Sequence, residues 1–169
     1  MPNADLEKTT GNLFKLAVGT ENGAAAVYGN FAKLFGYMPQ IAAFWSGLHD
    51  DELEHAATLQ NIYNKLSGEQ LSAPPDNALW NTVLEAQHLL DRAPAAAIKT
   101  LDDAYEFAHE LEFSEVNSIF KFLTSNYVVS EEQEKLLDMQ IARHLKKLMD
   151  FSANYGERQW RQGFMARSG

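Results

Sequence analysis

Five side chains of types that commonly bind metals fall on stripes of apolar residues in this sequence. They are Glu21, Glu52, His55, Glu112 and His144. A charged group on such a stripe is costly to bury unless another group neutralises it. A metal ion neutralises several carboxylates at once, and a set of carboxylates and imidazoles suits iron or manganese, although zinc can also occupy it. The pattern therefore predicts a metal site among packed helices.

The spacing within this set indicates how a metal would be held. Glu52 and His55 are three residues apart, which places both side chains on one side of a helical turn. A Glu-x-x-His pair on a bundle helix is the pattern by which carboxylate-bridged metals are bound. Glu115 lies about one turn after Glu112 and is predicted as a further carboxylate ligand.

Other polar and aromatic residues near these positions are given ordinary roles. Asp50, Asp51 and Glu54 are predicted to form a solvated acidic face, with His109 and Asp138 as outer partners of the site. Three aromatic residues lie seven positions from the predicted glutamate ligands: Tyr28, Trp45 and Tyr105. Aromatic residues at helical spacing most often fill a core, although these three could also relay electrons.

The elements that must position these residues are helices. Apolar residues recur at three- and four-residue spacing from Leu13 to Leu34, and a second stripe runs from Ile41 to Leu66. Gly36 is predicted to end the first helix and Pro39 to begin the second. Residues 68–76 contain glycine and proline, which predicts a break in helical structure.

Further capping signals predict three more helices. Asp76 can cap a crossover helix, and capping boxes at Thr100 and Ser130 can open two long ones. Two antiparallel helical hairpins joined by a crossover helix make an all-α, ferritin-like four-helix bundle. We expect residues 1–153 to form this bundle domain and residues 154–169 to form a polar C-terminal extension.

A weak internal repeat relates the two hairpins. Glu21 precedes His55 by 34 residues, and Glu112 precedes His144 by 32. Since a helix rises about 1.5 Å per residue, each hairpin brings its glutamate and its histidine to a similar depth.

An alternative alignment of the last helix sets Glu132-x-x-Lys135 on the Glu-x-x-His pair of the second helix. Glu132 follows Glu112 by only 20 residues, however. That is too few for a helix to run out and return to the same depth, so His144 is preferred.

Composition excludes several classes of function. The chain has 169 residues, a net charge of −9 and a pI of about 4.9, which disfavour binding to nucleic acid or to an anionic membrane. It has no cysteine, which excludes disulfides, thiolate nucleophiles and Cys-ligated metal sites in these residues. No run of 18 apolar residues and no signal-like N-terminus is present, so we expect a cytoplasmic protein that does not span a membrane.

Two segments carry a resemblance to a known family. Residues 21–28 (ENGAAAVY) and 44–56 (FWSGLHDDELEHA) resemble the first hairpin of the rubrerythrin branch of the ferritin-like superfamily. Glu112 and Glu115 resemble that family's pair of glutamates on the third helix. The resemblance covers roughly residues 10–152. It implies a di-iron centre that reacts with peroxide or dioxygen, and often a homodimer.

The chain departs from that family's pattern in two places. Ile141 stands where the second Glu-x-x-His would have its glutamate, so one carboxylate is missing. We therefore expect one or two iron ions per chain. The absence of cysteine means that these residues hold no rubredoxin domain, and an external electron donor is expected. Three functions therefore stay open: a redox enzyme, a degenerate scaffold or partner-binding module, and an iron-handling ferroxidase.

Overall fold

The computed structural model describes residues 6–92, 98–112, 117–127 and 130–155. Within these ranges the chain forms seven helices and no strand, which confirms the predicted all-α class. The helices are α1 (Thr10–Leu34), α2 (Pro39–Tyr63), α3 (Gly68–Ser72), α4 (Asn77–Asp91), α5 (Leu101–Leu111), α6 (Asn117–Tyr127) and α7 (Glu131–Tyr155).

The first hairpin consists of α1 and α2, which pack against each other along their lengths. The Thr9 side chain accepts a hydrogen bond from the Asn12 amide and caps the start of α1. The helix ends at Leu34, two residues before the predicted Gly36, with Phe35 as its C-cap. Pro39 is the first residue of α2, as the sequence predicts. Since the turn between the helices is short, the middle of α1 lies beside the middle of α2.

The crossover differs from the prediction in one respect. Residues 68–76 were expected to form a break, but residues 68–72 form the short helix α3. The Ser67 hydroxyl accepts from the Gln70 amide at 3.2 Å, and the Gln70 side chain accepts from the Ser67 amide at 2.9 Å. This reciprocal cap stabilises a single turn despite the glycine. Asp76 then caps α4 as predicted, accepting from the Leu79 amide at 2.8 Å.

The second half of the bundle begins at the predicted caps. Thr100 and Asp103 form a reciprocal capping box at α5, and Ser130 accepts from the Gln133 amide at α7. The predicted third long helix is described as α5 and α6. Residues 113–116, which include Glu115, lie outside the described residues.

The predicted extension at 154–169 is described only at its first two residues, which belong to α7. The limit at 153 between bundle and extension therefore remains a prediction. No helix of the described part is both long and apolar enough to cross a membrane.

The core is one cluster of apolar residues shared by the bundle helices and α4, which packs against α1. Leu48 and Leu59 of α2, Leu111 of α5 and Leu148 of α7 are at most 1% exposed. These leucines lie within a turn or two, along their own helices, of the predicted metal ligands. The site is therefore held by a tightly packed apolar scaffold.

Candidate metal centre

The structure brings five of the six predicted ligands together in the interior of the bundle. Glu21 comes from α1, Glu52 and His55 from α2, Glu112 from the residue that follows α5, and His144 from the middle of α7. Each is at most 2% exposed. The sixth, Glu115, lies outside the described residues.

Three of these residues form a first group of potential ligands. His55 Nδ1 lies 3.2 Å from Glu52 Oε2 and 4.0 Å from Glu21 Oε2. Each of the three residues offers one ligand atom within 4.8 Å of the others. A single ion at the centre of this group could contact all three.

A second group shares one member with the first. His144 Nε2 lies 3.1 Å from Glu52 Oε1 and 3.0 Å from Glu112 Oε2. These three residues also offer ligand atoms within 4.8 Å of one another. Glu52 thus presents one oxygen to each group, which is the arrangement of a carboxylate that bridges two ions.

Several candidate ligand atoms at this centre are buried without a hydrogen-bond partner in the part of the chain that the structure describes. Among the described residues, Glu21 Oε2, Glu52 Oε1 and His144 Nε2 are buried and have no hydrogen bond of acceptable geometry. Leaving a buried polar atom unsatisfied costs about 1–3 kcal/mol. An ion in the first group would satisfy Glu21 Oε2, and an ion in the second would satisfy Glu52 Oε1 and His144 Nε2. The residues present therefore fit the metal that the pattern predicts.

The electrostatics show a surplus of negative charge in the metal-free centre. Burial and the neighbouring Glu52 carboxylate raise the pKa of Glu21 well above its usual value. Burial and Glu52 likewise raise the pKa of Glu112, despite the nearby His144. In the metal-free centre these two carboxyl groups therefore hold their protons more tightly than exposed carboxyl groups do.

The pKa of Glu52 is lowered and that of His144 is raised, as expected for a carboxylate and an imidazolium that form an ion pair. Burial opposes ionisation of Glu52, but its hydrogen bond with His55 and the charge of His144 lower its pKa overall. Burial also opposes the imidazolium of His144, yet Glu112, Asp51 and Glu52 raise its pKa to about 10. In the metal-free protein, His144 is therefore the internal cation of the centre at neutral pH.

Asp51 corrects the prediction of a solvated acidic face. Asp50 and Glu54 are exposed as expected, but Asp51 is only 6% exposed and accepts a hydrogen bond from His144 Nδ1 at 3.2 Å. Asp51 follows Leu48 by three residues and precedes His55 by four, so it lies on the same buried stripe. That spacing was the signal that could have identified it. Asp138, predicted as an outer partner, is exposed.

The Asp51 carboxylate is itself held by a cation. Lys147 Nζ donates to Asp51 Oδ2 at 2.6 Å and to the carbonyl oxygen of Gly47 at 3.3 Å. Burial would raise the pKa of Asp51, but the hydrogen bonds from His144 and Lys147 lower it overall. An ionised Asp51 that accepts from Nδ1 keeps Nε2 of His144 directed at Glu52 and Glu112.

Replacing Asp51 with Asn is expected to lower metal affinity by about 10- to 100-fold, because groups that orient a metal-bound imidazole typically contribute that much. The affinity can be measured by competition with a chromophoric chelator. Asp50→Asn, at the exposed neighbouring position, is the matched control. An unchanged affinity in the Asp51 variant would show that His144 does not depend on this contact.

Tyr28 makes a second contact that the sequence did not predict. It was expected to fill the core, and it is fully buried, but its hydroxyl also donates a hydrogen bond to Glu112 Oε1. Burial and the Glu112 carboxylate raise the pKa of Tyr28 well above its usual value, so the phenol keeps its proton. Oε1 of Glu112 is thereby fixed while Oε2 faces His144.

The last helix follows the preferred alignment. His144 is fully buried at the centre, whereas Glu132 and Lys135 of the alternative alignment are exposed near the start of α7. Ile141 is half-buried and packs against the apolar core one turn before His144. The described part of α7 therefore places a nitrogen donor in the centre, and Ile141 adds no carboxylate to it.

A comparison with known families agrees with this geometry. A family model for rubrerythrin matches residues 12–136, which include Glu21, Glu52, His55 and Glu112 and end before His144. Searches of curated proteins and of solved structures found no match to this chain. Since the matched range covers most of the sequence and the fold is an all-α bundle, the chain belongs to the rubrerythrin family.

Proposed function

We propose that this protein is a non-haem iron protein that reduces peroxide or dioxygen at the centre of its bundle. The observation that carries the proposal is the pair of buried three-residue groups that share Glu52. Carboxylates with two imidazoles suit iron, although manganese or zinc could occupy the same groups.

The residues have distinct roles in this proposal. Glu21 and His55 would hold one ion, Glu112 and His144 would hold the other, and Glu52 belongs to both groups. Iron bound there would supply the change between Fe(II) and Fe(III). Asp51 orients His144, Tyr28 fixes Glu112, and the surrounding leucines exclude bulk water.

The electrons must come from outside these residues. The chain contains no cysteine, so no Cys-ligated iron site within it can supply them. A separate electron donor is therefore part of the proposal. A homodimeric assembly, which the family resemblance implies, is part of it as well.

A scaffold without redox activity is the second candidate, and His144 favours it. Its two ring nitrogens lie 3.0–3.2 Å from carboxylate oxygens of Glu112, Glu52 and Asp51. A protonated His144 neutralises part of the buried charge without a metal, and Ile141 leaves the second group one carboxylate short of the family pattern. Metal binding at this group would have to displace a proton from His144.

Metal stoichiometry after anaerobic reconstitution with Fe(II) separates the two candidates. We expect two iron ions per chain, because both groups present buried ligand atoms, and rapid oxidation of the bound iron when peroxide or dioxygen is added. The iron content is measured by mass spectrometry and its oxidation by optical absorption. Protein loaded with zinc, which has no redox chemistry, is the control.

Each stoichiometry has a definite meaning. One iron per chain would restrict binding to a single group and remove the bridging role of Glu52. No bound iron, with a folded chain, would support the scaffold.

A further inference from the structure

A continuous column of aromatic rings begins at the metal centre. The hydroxyl of Tyr28 donates to Glu112, and the ring of Tyr28 stacks on Trp45 with 5.8 Å between centroids and 24° between planes. The ring centroids of Trp45 and Phe151 lie 5.9 Å apart. Phe151 stacks on Tyr105 with 6.0 Å between ring centroids and 24° between ring planes. The column therefore links helices α1, α2, α5 and α7.

The column runs from the interior to the surface. Tyr28 and Trp45 are fully buried, Phe151 is 5% exposed, and Tyr105 is half-buried. Three of the four rings belong to residue types that can lose and regain an electron, with Phe151 as a single intervening ring. This arrangement can carry electrons between the centre and solvent, in addition to filling the core.

The indole of Trp45 has an unusual environment. A buried indole N–H normally finds a hydrogen-bond acceptor. Trp45 Nε1 has none among the described residues. Because none of the described residues offers an acceptor for the indole proton, an oxidised Trp45 would remain a radical cation. A neighbouring ring can then reduce it by giving up one electron, with no proton to be returned.

We propose that Tyr28, Trp45 and Tyr105 export oxidising equivalents from the metal centre to the surface when the electron donor is absent. The proposal rests on the proposed function, with peroxide as the oxidant. Such a route would protect the buried candidate ligands from oxidation, because the oxidised residue would be Tyr105, which small reductants can reach.

The steps balance in electrons and protons. The oxidant is a peroxide that reacts after the bound iron has become Fe(III), so both of the electrons it needs come from the column. Tyr28 gives one electron towards that peroxide and its phenolic proton to Glu112. Trp45 gives one electron to Tyr28, which takes its proton back, and Tyr105 gives one electron to Trp45 and releases its proton to water. A thiol or another one-electron reductant restores Tyr105. Two such electrons with two protons convert one peroxide into two waters.

Spin trapping in the iron-loaded protein tests the proposal. Peroxide is added without reductant in the presence of a nitroso spin trap, and adducts are located by peptide mass spectrometry. We expect adducts at Tyr105 and none above background at Tyr37. Tyr37 is 68% exposed and not part of the column, so it reports non-specific oxidation.

Trp45→Phe breaks the column and keeps an aromatic ring in the core. We expect the Tyr105 adduct to be lost in this variant, while oxidation of the bound iron, followed optically, continues. Trp80→Phe is the matched control because Trp80 is also buried but lies in α4. It should leave the Tyr105 adduct unchanged.

The outcomes separate the two proposals. Suppose that peroxide oxidises the bound iron, but that Tyr105 is labelled as strongly in the Trp45 variant as in the wild-type protein. That result would overturn the export route alone, and so would labelling of Tyr37 as strong as that of Tyr105. Failure of peroxide to oxidise the bound iron would overturn the proposed function, and the route with it.

Discussion

Glu52→Gln is expected to abolish metal binding in both halves of the centre. Glu52 directs Oε2 towards His55 and Oε1 towards His144, and it is the member common to both groups of potential ligands. An amide keeps the shape of the side chain but loses the charge that would hold two cations. Stabilisation by metal, about 2.7 kcal/mol at a hundredfold excess over Kd, should disappear with it.

Metal content by mass spectrometry and melting temperature with and without added metal are the measurements. Glu21→Gln and Glu112→Gln should each remove only one ion, because each residue belongs to one group. Glu54→Gln is the control, since Glu54 lies two residues away on the same helix and is exposed. Retention of full metal content by the Glu52 variant would contradict the bridged arrangement.

The ends of the helices were predictable because their signals are local. Gly36 and Pro39 mark the turn between α1 and α2, and Asp76, Thr100 and Ser130 cap α4, α5 and α7. Each cap is a contact between residues three positions apart, so the sequence contains all of it. The helix α3 was missed because its glycine and the prolines that follow outweighed the cap formed by Ser67.

The convergence of the five ligand candidates was predictable for a different reason. Helical periodicity places each of them on a buried stripe. The separation of glutamate and histidine is nearly the same in the two hairpins, which places these residues at a similar depth in the bundle. Their binding of metal remains a prediction.

The contacts that hold the candidate ligands were not predictable in the same way. Asp51 of α2 forms a hydrogen bond with His144 of α7, and Tyr28 forms one with Glu112, which lies 84 residues later in the sequence. Such contacts depend on the rotation of each helix about its axis, which periodicity fixes only approximately. A stripe position shows that Asp51 is buried but not which side chain it faces.

The metal-free protein is expected to become more stable at neutral pH when Glu21 is replaced by Gln. The pKa of Glu21 in the folded state is raised well above its ordinary value of 4.5, so the folded state binds this proton more tightly than the unfolded state does. This contribution to stability is complete below pH 4.5 and is lost as the pH rises through the folded-state pKa. The neutral amide avoids that loss, and we expect a gain of roughly 1–3 kcal/mol at pH 8.

Melting temperatures of chelator-treated protein between pH 5 and pH 8 measure this effect. The wild-type protein should lose stability with rising pH more steeply than the variant. His144, with its pKa raised to about 10, also contributes stability that is lost as the pH rises from about 6.5 towards 10. That contribution is present in both proteins, so the difference between them isolates Glu21. Glu69→Gln, at an exposed position in α3, should leave the pH dependence unchanged.

Adding zinc should reverse the order of the two proteins. The ionised Glu21 would then contact a cation, and the wild-type protein should gain more stability from the metal than the variant does. A scaffold without a metal site would keep the variant more stable under both conditions, because its buried charge would never be neutralised. The reversal therefore distinguishes a carboxylate retained as a ligand from one that only destabilises the core.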